Sequence, residues 1–126
     1  MQKQRIITDK APTSPNPTSQ GMRCGDFVFT GGFTAKDPKT GGLVPGGIEA
    51  QTRRVVESLR AVLEAGGSSL EKVVKVNAFL TNIADKPAFD RVYRDYFRQE
   101  PPGRVCVAVS DIEPGALIEM DAIGHV

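Results

Sequence analysis

Apolar residues recur along this chain with two different periods, and the changes of period divide it into elements. Over residues 48–65, Ile48, Thr52, Val55, Leu59, Val62 and Leu63 fall on one stripe at helical spacing. Glu49, Arg53, Arg54, Glu57, Arg60 and Glu64 carry most of the charge on the other faces, and Gly66-Gly67 supplies a stop. Phe89, Val92, Tyr93, Tyr96 and Phe97 repeat the same spacing and predict a second helix. Asp85 is its expected cap, Pro87 is tolerated in its first turn, and Pro101-Pro102 end the segment.

Elsewhere the period is that of strands. Residues 73–80 are β-branched and apolar enough for a central strand. Residues 22–24 and 27–30 read as two strands around a turn at Gly25-Asp26, and Gly31-Gly32 ends the second. Residues 5–8 are expected to form a short edge strand. Residues 11–17 hold three prolines, too rigid and too poor in amide donors for a helix or central strand, so they read as an ordered loop. Residues 37–42 are a turn by composition. Two strands close the chain, 104–109 and 117–123, joined around Pro114-Gly115.

Two helices among six strands predict an α+β fold, a mixed sheet with both helices on one face. The other face is then bare. Val105, Val107 and Val109 share one side of their strand, and Ile118, Met120 and Ala122 share one side of theirs. Apolar groups on both sheet faces would require a second subunit, so self-association is expected.

A chain of 126 residues holds one core, so residues 1–126 are expected to form a single domain. With 16 basic and 15 acidic residues the formal net charge is +1, which offers no footprint for nucleic acid or an anionic membrane. The N-terminus is too polar for a signal peptide, and no apolar run is long enough to span a bilayer. Cys24 and Cys106 are far apart and belong to no CxxC or His/Cys cluster, which argues against a disulfide framework or zinc. A reducing cytoplasm is the expected setting.

Arg104 opens an apolar strand, where its planar fork suits a carboxylate bound by two hydrogen bonds. A salt bridge within the chain is the alternative. Alternation puts Arg104 and Cys106 opposite Val105 and Val107. On the last strand Glu119 and Asp121 share a face, roughly 7 Å apart, and either carboxylate can move a proton. The alternatives are a solvated strand face or partners for Arg104. Gly31-Gly32 lets a backbone N–H approach a ligand, although a turn alone explains the pair. Neither GxxxxGK[ST] nor GxGxxG occurs. The only histidine, His125, is one residue from the C-terminus, a poor base for a Cys-His or Ser-His-Asp arrangement. Cys106 therefore reads as a small wall.

Several segments in order carry a resemblance: Ser19-Gln20-Gly21, Phe27-Val28-Phe29-Thr30-Gly31-Gly32, Asp37-Pro38-Lys39-Thr40-Gly41, Ala50-Gln51-Thr52, Leu63-Glu64-Ala65-Gly66, Val73-Val74-Lys75-Val76, Pro101 through Val107, and Ile118-Glu119-Met120-Asp121-Ala122-Ile123. Together they resemble the reactive intermediate deaminase family, Rid or YjgF. The resemblance implies a chorismate-mutase-like fold, a barrel-like homotrimer with clefts between subunits, and hydrolysis of 2-imino or 2-enamino acids to 2-oxo acids and ammonia without cofactor or metal. It places the carboxylate-binding arginine at Arg104, the ligand-contacting glycine at Gly32 and the cysteine of the arginine strand at Cys106. Four positions depart: Thr18 stands where a tyrosine is usual, Phe33 where a glutamine is common, Asp90 where an asparagine stands, and Asp121 for the glutamate that holds the attacking water, with Glu119 as second candidate. The expected function is imine hydrolysis; the alternative is a binder of small 2-oxo acids that turns nothing over.

Overall fold

The computed structural model describes residues 1–126. Six strands form one mixed sheet: β1 (Lys3–Ile6), β2 (Gly21–Cys24), β3 (Phe27–Thr30), β4 (Val73–Leu80), β5 (Gly103–Ala108) and β6 (Ile118–His125). Their order across the sheet is β1-β2-β3-β6-β4-β5. Every neighbouring pair is antiparallel except β4 and β5, which are parallel. A parallel pair needs a crossover, and the helix α2 (Lys86–Tyr96) supplies it. The other helix, α1 (Ile48–Ala65), connects the β3 side of the sheet to β4.

The expected α+β architecture is the one observed, with differences at element ends. The first strand begins and ends two residues earlier than the 5–8 expected from sequence. The buried face of α1 is wider than the expected stripe: Gln51, Val56 and Ser58 are buried as well, and Ile48 is only half-buried. Gln51 is inside because its amide is satisfied there, donating to the Gly115 carbonyl at 3.0 Å and accepting from the Leu117 N–H at 2.8 Å. It pins the turn before β6. The helix ends as Gly66-Gly67 suggested. Gly67 takes φ +93°, its N–H bonds the Glu64 carbonyl, and the Ser68 N–H bonds the Leu63 carbonyl, which satisfies the last carbonyls of the helix.

The expectation for the start of the second helix needs correction. Asp85 sits at the helix boundary with αR backbone and makes no side-chain cap. A 3-10 turn over Ile83–Asp85 precedes α2, and Asn82 caps that turn by accepting from the Ala84 N–H at 3.0 Å. The αR conformation at Asp85 keeps its carboxylate away from the N–H groups it would have to meet.

The core lies between sheet and helices. Val76, Ala78 and Leu80 of β4 and Ile118, Met120 and Ala122 of β6 face α1 and α2 and are buried, along with Val55, Leu59, Leu63 and Phe89. Tyr96 of the expected aromatic stripe is half-exposed and lies under Arg60. The opposite face of the sheet is open, and Phe27 (46%), Phe29 (42%), Val105 (41%) and Val107 (42%) stand exposed on it.

Candidate functional site

The candidate residues gather in two places on opposite sides of the sheet. The first is a cleft of about 430 Å³ beside the N-terminal loop, lined among others by Thr18, Gly32, Phe33, Thr34, Ile112 and Glu119. Its wall is held by Gln20. The Gln20 amide donates to the carbonyls of Thr8, Ala11 and Pro12 and accepts from the Thr8 N–H, which fixes the proline-rich loop. Thr18 is exposed on that loop.

Gly32 lies where the chain leaves β3. The Thr30 hydroxyl accepts from the Ala122 N–H at 2.9 Å, bridging the point where β3 parts from β6. The chain rejoins β6 at Phe33, whose backbone exchanges two hydrogen bonds with Met120. This places Gly32 directly against Glu119: a Cβ on Gly32 would stand 2.6 Å from the Glu119 carboxylate. Burial, then the like charges of Asp121 and Glu113, push the Glu119 carboxyl above its ordinary pKa. Glu113 itself is held by Lys36 at 3.1 Å and by the Thr34 hydroxyl. Phe33, expected as a pocket residue, lines the cleft while its side chain is buried in the core cluster.

Asp121 shares the open sheet face with Glu119 but does not line the cleft. Its carboxylate accepts from the Asn77 amide across the β4–β6 pair at 2.9 Å. Glu119 is therefore the carboxylate that faces Gly32, and Asp121 acts on it through charge. Sequence offered both because a period of two puts both on one face; only the path of the chain at 30–33 separates them.

The second group lies on the helix-covered side. Arg104 pairs with Val76 in the β4–β5 register and points with it toward the helices. Its Nη1 donates to Asp90 at 2.8 Å, and Asp90 also accepts from Lys86 at 3.2 Å. Burial alone would raise the Asp90 pKa, but the hydrogen bonds from Arg104 and Lys86 hold it below the usual range. The guanidinium carbon stands 4.8 Å from the Tyr93 ring centre and 5.3 Å from that of Phe89. Burial pushes the Tyr93 hydroxyl up to about 12, so it remains protonated. Cys106 follows Arg104 on the same side, and burial raises its thiol, which disfavours the thiolate needed for nucleophilic attack.

The carboxylate partner of Arg104 is thus Asp90; Glu119 and Asp121 are excluded because the sheet lies between. A small cavity of about 270 Å³ opens beside this pair and is lined by Asp90, Tyr93, Arg94 and Arg104, with Phe97 and the two prolines before β5. Sequence did not single out Phe89, Tyr93 and Lys86 for this site. The available signal was spacing, since Lys86, Asp90 and Tyr93 fall within one face of α2.

The family model described as Endoribonuclease L-PSP matches residues 8–126. The solved structure of YyfA from Yersinia pestis, a protein of the conserved Rid family, superposes with a TM-score of 0.95 at 36% identity, covering 99% of this chain and 100% of that one. This chain belongs to the Rid/YjgF family. Within it, a RutC family protein of Pyrococcus abyssi is 43% identical over 125 residues, which is 99% of this chain and 98% of that protein. The 3-aminoacrylate deaminase RutC of Acinetobacter baylyi is 34% identical over 126 residues, the whole of both chains. The Rid assignment agrees with the α+β architecture, two helices packed on one mixed sheet.

Proposed function

We propose that this Rid protein hydrolyses small 2-imino or 2-enamino acids to 2-oxo acids and ammonia. The observation that carries the reading is Glu119, a carboxyl of raised pKa set against the bare backbone of Gly32 in an open cleft. The 3-aminoacrylate deaminase named among its relatives acts on a compound of the same enamine class, which supports the choice of substrate.

An imine carbon is already electrophilic, so the site has to orient it and move one proton. Glu119 takes a proton from water as the oxygen bonds to the imine carbon and the C=N electron pair moves to nitrogen. The proton is returned to that nitrogen; Glu119 then takes the remaining hydroxyl proton as the C–N bond breaks, the C=O forms and ammonia leaves. Asp121 is the second-choice carboxylate and tunes Glu119 by its charge. Gly32 offers its amide, Thr18 and Cys106 line the site, and Arg104 holds the substrate carboxylate. The raised Cys106 thiol and the single terminal histidine supply no nucleophile, and the reaction calls for no cofactor or metal.

Arg104 and Glu119 lie on opposite sides of one sheet, so one copy does not bring them to one substrate. The reading calls for a homotrimer in which the Glu119 cleft of one copy meets the Arg104 cavity of the next. The open face with Phe27, Phe29, Val105 and Val107 supplies apolar surface for such an assembly. Turnover is tested with 2-imino acids of increasing side-chain size generated in situ by an amino-acid oxidase, with semicarbazide trapping unreacted imine. Loss of the trapped product on adding the protein is expected. Binding of 2-oxo acids with no turnover across the series would make the protein a receptor instead. The assembly is tested by sedimentation equilibrium, where a stable monomer at micromolar concentration would remove the shared site.

A further inference from the structure

The Arg104 half of the site carries a negative charge that imine hydrolysis does not call for. Asp90 stands between two cations, 2.8 Å from Arg104 Nη1 and 3.2 Å from Lys86 Nζ. Its side chain is 18% exposed, and it lines the same cavity of about 270 Å³ as Arg104. A ligand seated on the guanidinium therefore meets Asp90 too. Nε and Nη2 of Arg104 make no hydrogen bond within the chain, so one edge of the fork is open to a carboxylate. The rings of Tyr93 and Phe89 keep the guanidinium from turning away.

We propose that Asp90 makes this subsite selective for ligands that carry a cationic nitrogen next to the carboxylate, such as a protonated 2-imino acid, over 2-oxo acids that carry the carboxylate alone. The inference rests on Arg104 being the carboxylate anchor of the proposed reaction. A 2-oxo acid bound to Arg104 sets two carboxylates around one guanidinium, and their repulsion opposes binding. A protonated imine brings its own positive charge to the same place and offsets that repulsion. Hydrolysis removes the cationic nitrogen, so Asp90 attracts the substrate and repels the product from one position. Lys86 binds Asp90 from its other side and limits how strongly this charge acts.

The test uses the full-length protein and two stable ligands of matched size, L-alanine as the zwitterion and pyruvate as the anion, with dissociation constants from calorimetry. Asp90→Asn keeps an acceptor for Arg104 and Lys86 but removes the charge. A like charge about 5 Å away in a cavity open to solvent, where screening approaches that of bulk water, implies that pyruvate should tighten roughly three- to tenfold while alanine does not. Lys86→Met exposes more of the Asp90 charge and should move the ratio the other way, toward alanine. If Asp90 only positions Arg104, both ligands weaken together in Asp90→Asn, the ratio stays fixed, and the proposal is overturned. If Arg104→Ala leaves both dissociation constants unchanged, Arg104 is not the anchor, and the functional reading falls with the selectivity. A shifted ratio in both variants, with loss of binding in Arg104→Ala, upholds the two together.

Discussion

On the helix-covered face of the sheet, Val76, Ala78, Leu80, Ile118, Met120 and Ala122 are buried against two helices, and Arg104 has found Asp90 within its own chain. On the open face, the intervening residues of the same strands are Asn77, Phe79, Glu119 and Asp121, with Phe27 and Phe29 beside them. The hydrophobic core on the first face is closed within the chain. The second holds aromatic rings exposed to water and a carboxyl whose pKa is raised by burial and like charge. Alternation along a strand thus divides labour: one set of residues secures the fold, and the set between them is left for contact and chemistry.

The contrast is sharpest at Glu119. Glu119→Gln removes the proton carrier but leaves the shape, and imine turnover should fall about 10²- to 10⁴-fold with little change in thermal midpoint. A variant that kept its rate would return the open face to a purely structural role. On the covered face the effect should be the reverse. Leu59→Ala empties a fully buried site and should lower unfolding free energy by about 2–5 kcal/mol in a denaturant titration. Phe29→Asp, at an exposed position, should instead leave the secondary structure intact and shift sedimentation toward the monomer. Equal losses of stability from the two substitutions would abolish the distinction between the faces.

Arg104 belongs to the covered face yet is assigned a ligand, so its variants probe the boundary. Arg104→Ala should weaken binding of a 2-oxo acid by about 10- to 100-fold, from the loss of roughly 1.5–3 kcal/mol of charged hydrogen bonding. Arg104→Lys should recover only part of it, since an ammonium lacks the fork. Undiminished binding by the alanine variant would leave the arginine as nothing more than the partner of Asp90.

The smallest effect concerns pH. Glu119 must be ionised to accept a proton, and its pKa is raised, so the acid limb of kcat/KM should lie above the ordinary glutamate value of 4.5. Asp121→Asn removes a like charge and should move that limb to lower pH. The linked stability has the opposite sense. The folded chain holds this proton more tightly than the unfolded chain, so the contribution is present below the unfolded pKa and is lost as pH rises through the folded one. A limb that stayed in place in Asp121→Asn would show that burial alone raises Glu119.

Much of this division was legible in the sequence. The α1 bounds of 48–65, the central strand 73–80, and the opposition of Arg104 and Cys106 to Val105 and Val107 follow from periodicity and agree with the structure. What escaped were choices that depend on distant neighbours. Gln51 is buried because a turn more than sixty residues later needs its amide. Asp90 meets Arg104 because the crossover lays α2 over β5, which no local pattern reports. The choice of Glu119 over Asp121 turns on how the chain passes from Thr30 to Phe33, a detail of hydrogen bonding beyond the reach of a two-residue period.

Gly32 has a consequence for how the protein tolerates change over generations. Its backbone requires no positive φ, and what an added methyl would strike is the mobile end of one side chain, which can swing aside. Alanine there should fold as well as the parent while displacing the Glu119 carboxylate from its place. A population screened only for abundance would accept such a change silently, and a population screened for turnover would reject it. Position 32 is therefore a point where selection for having the protein and selection for using it come apart.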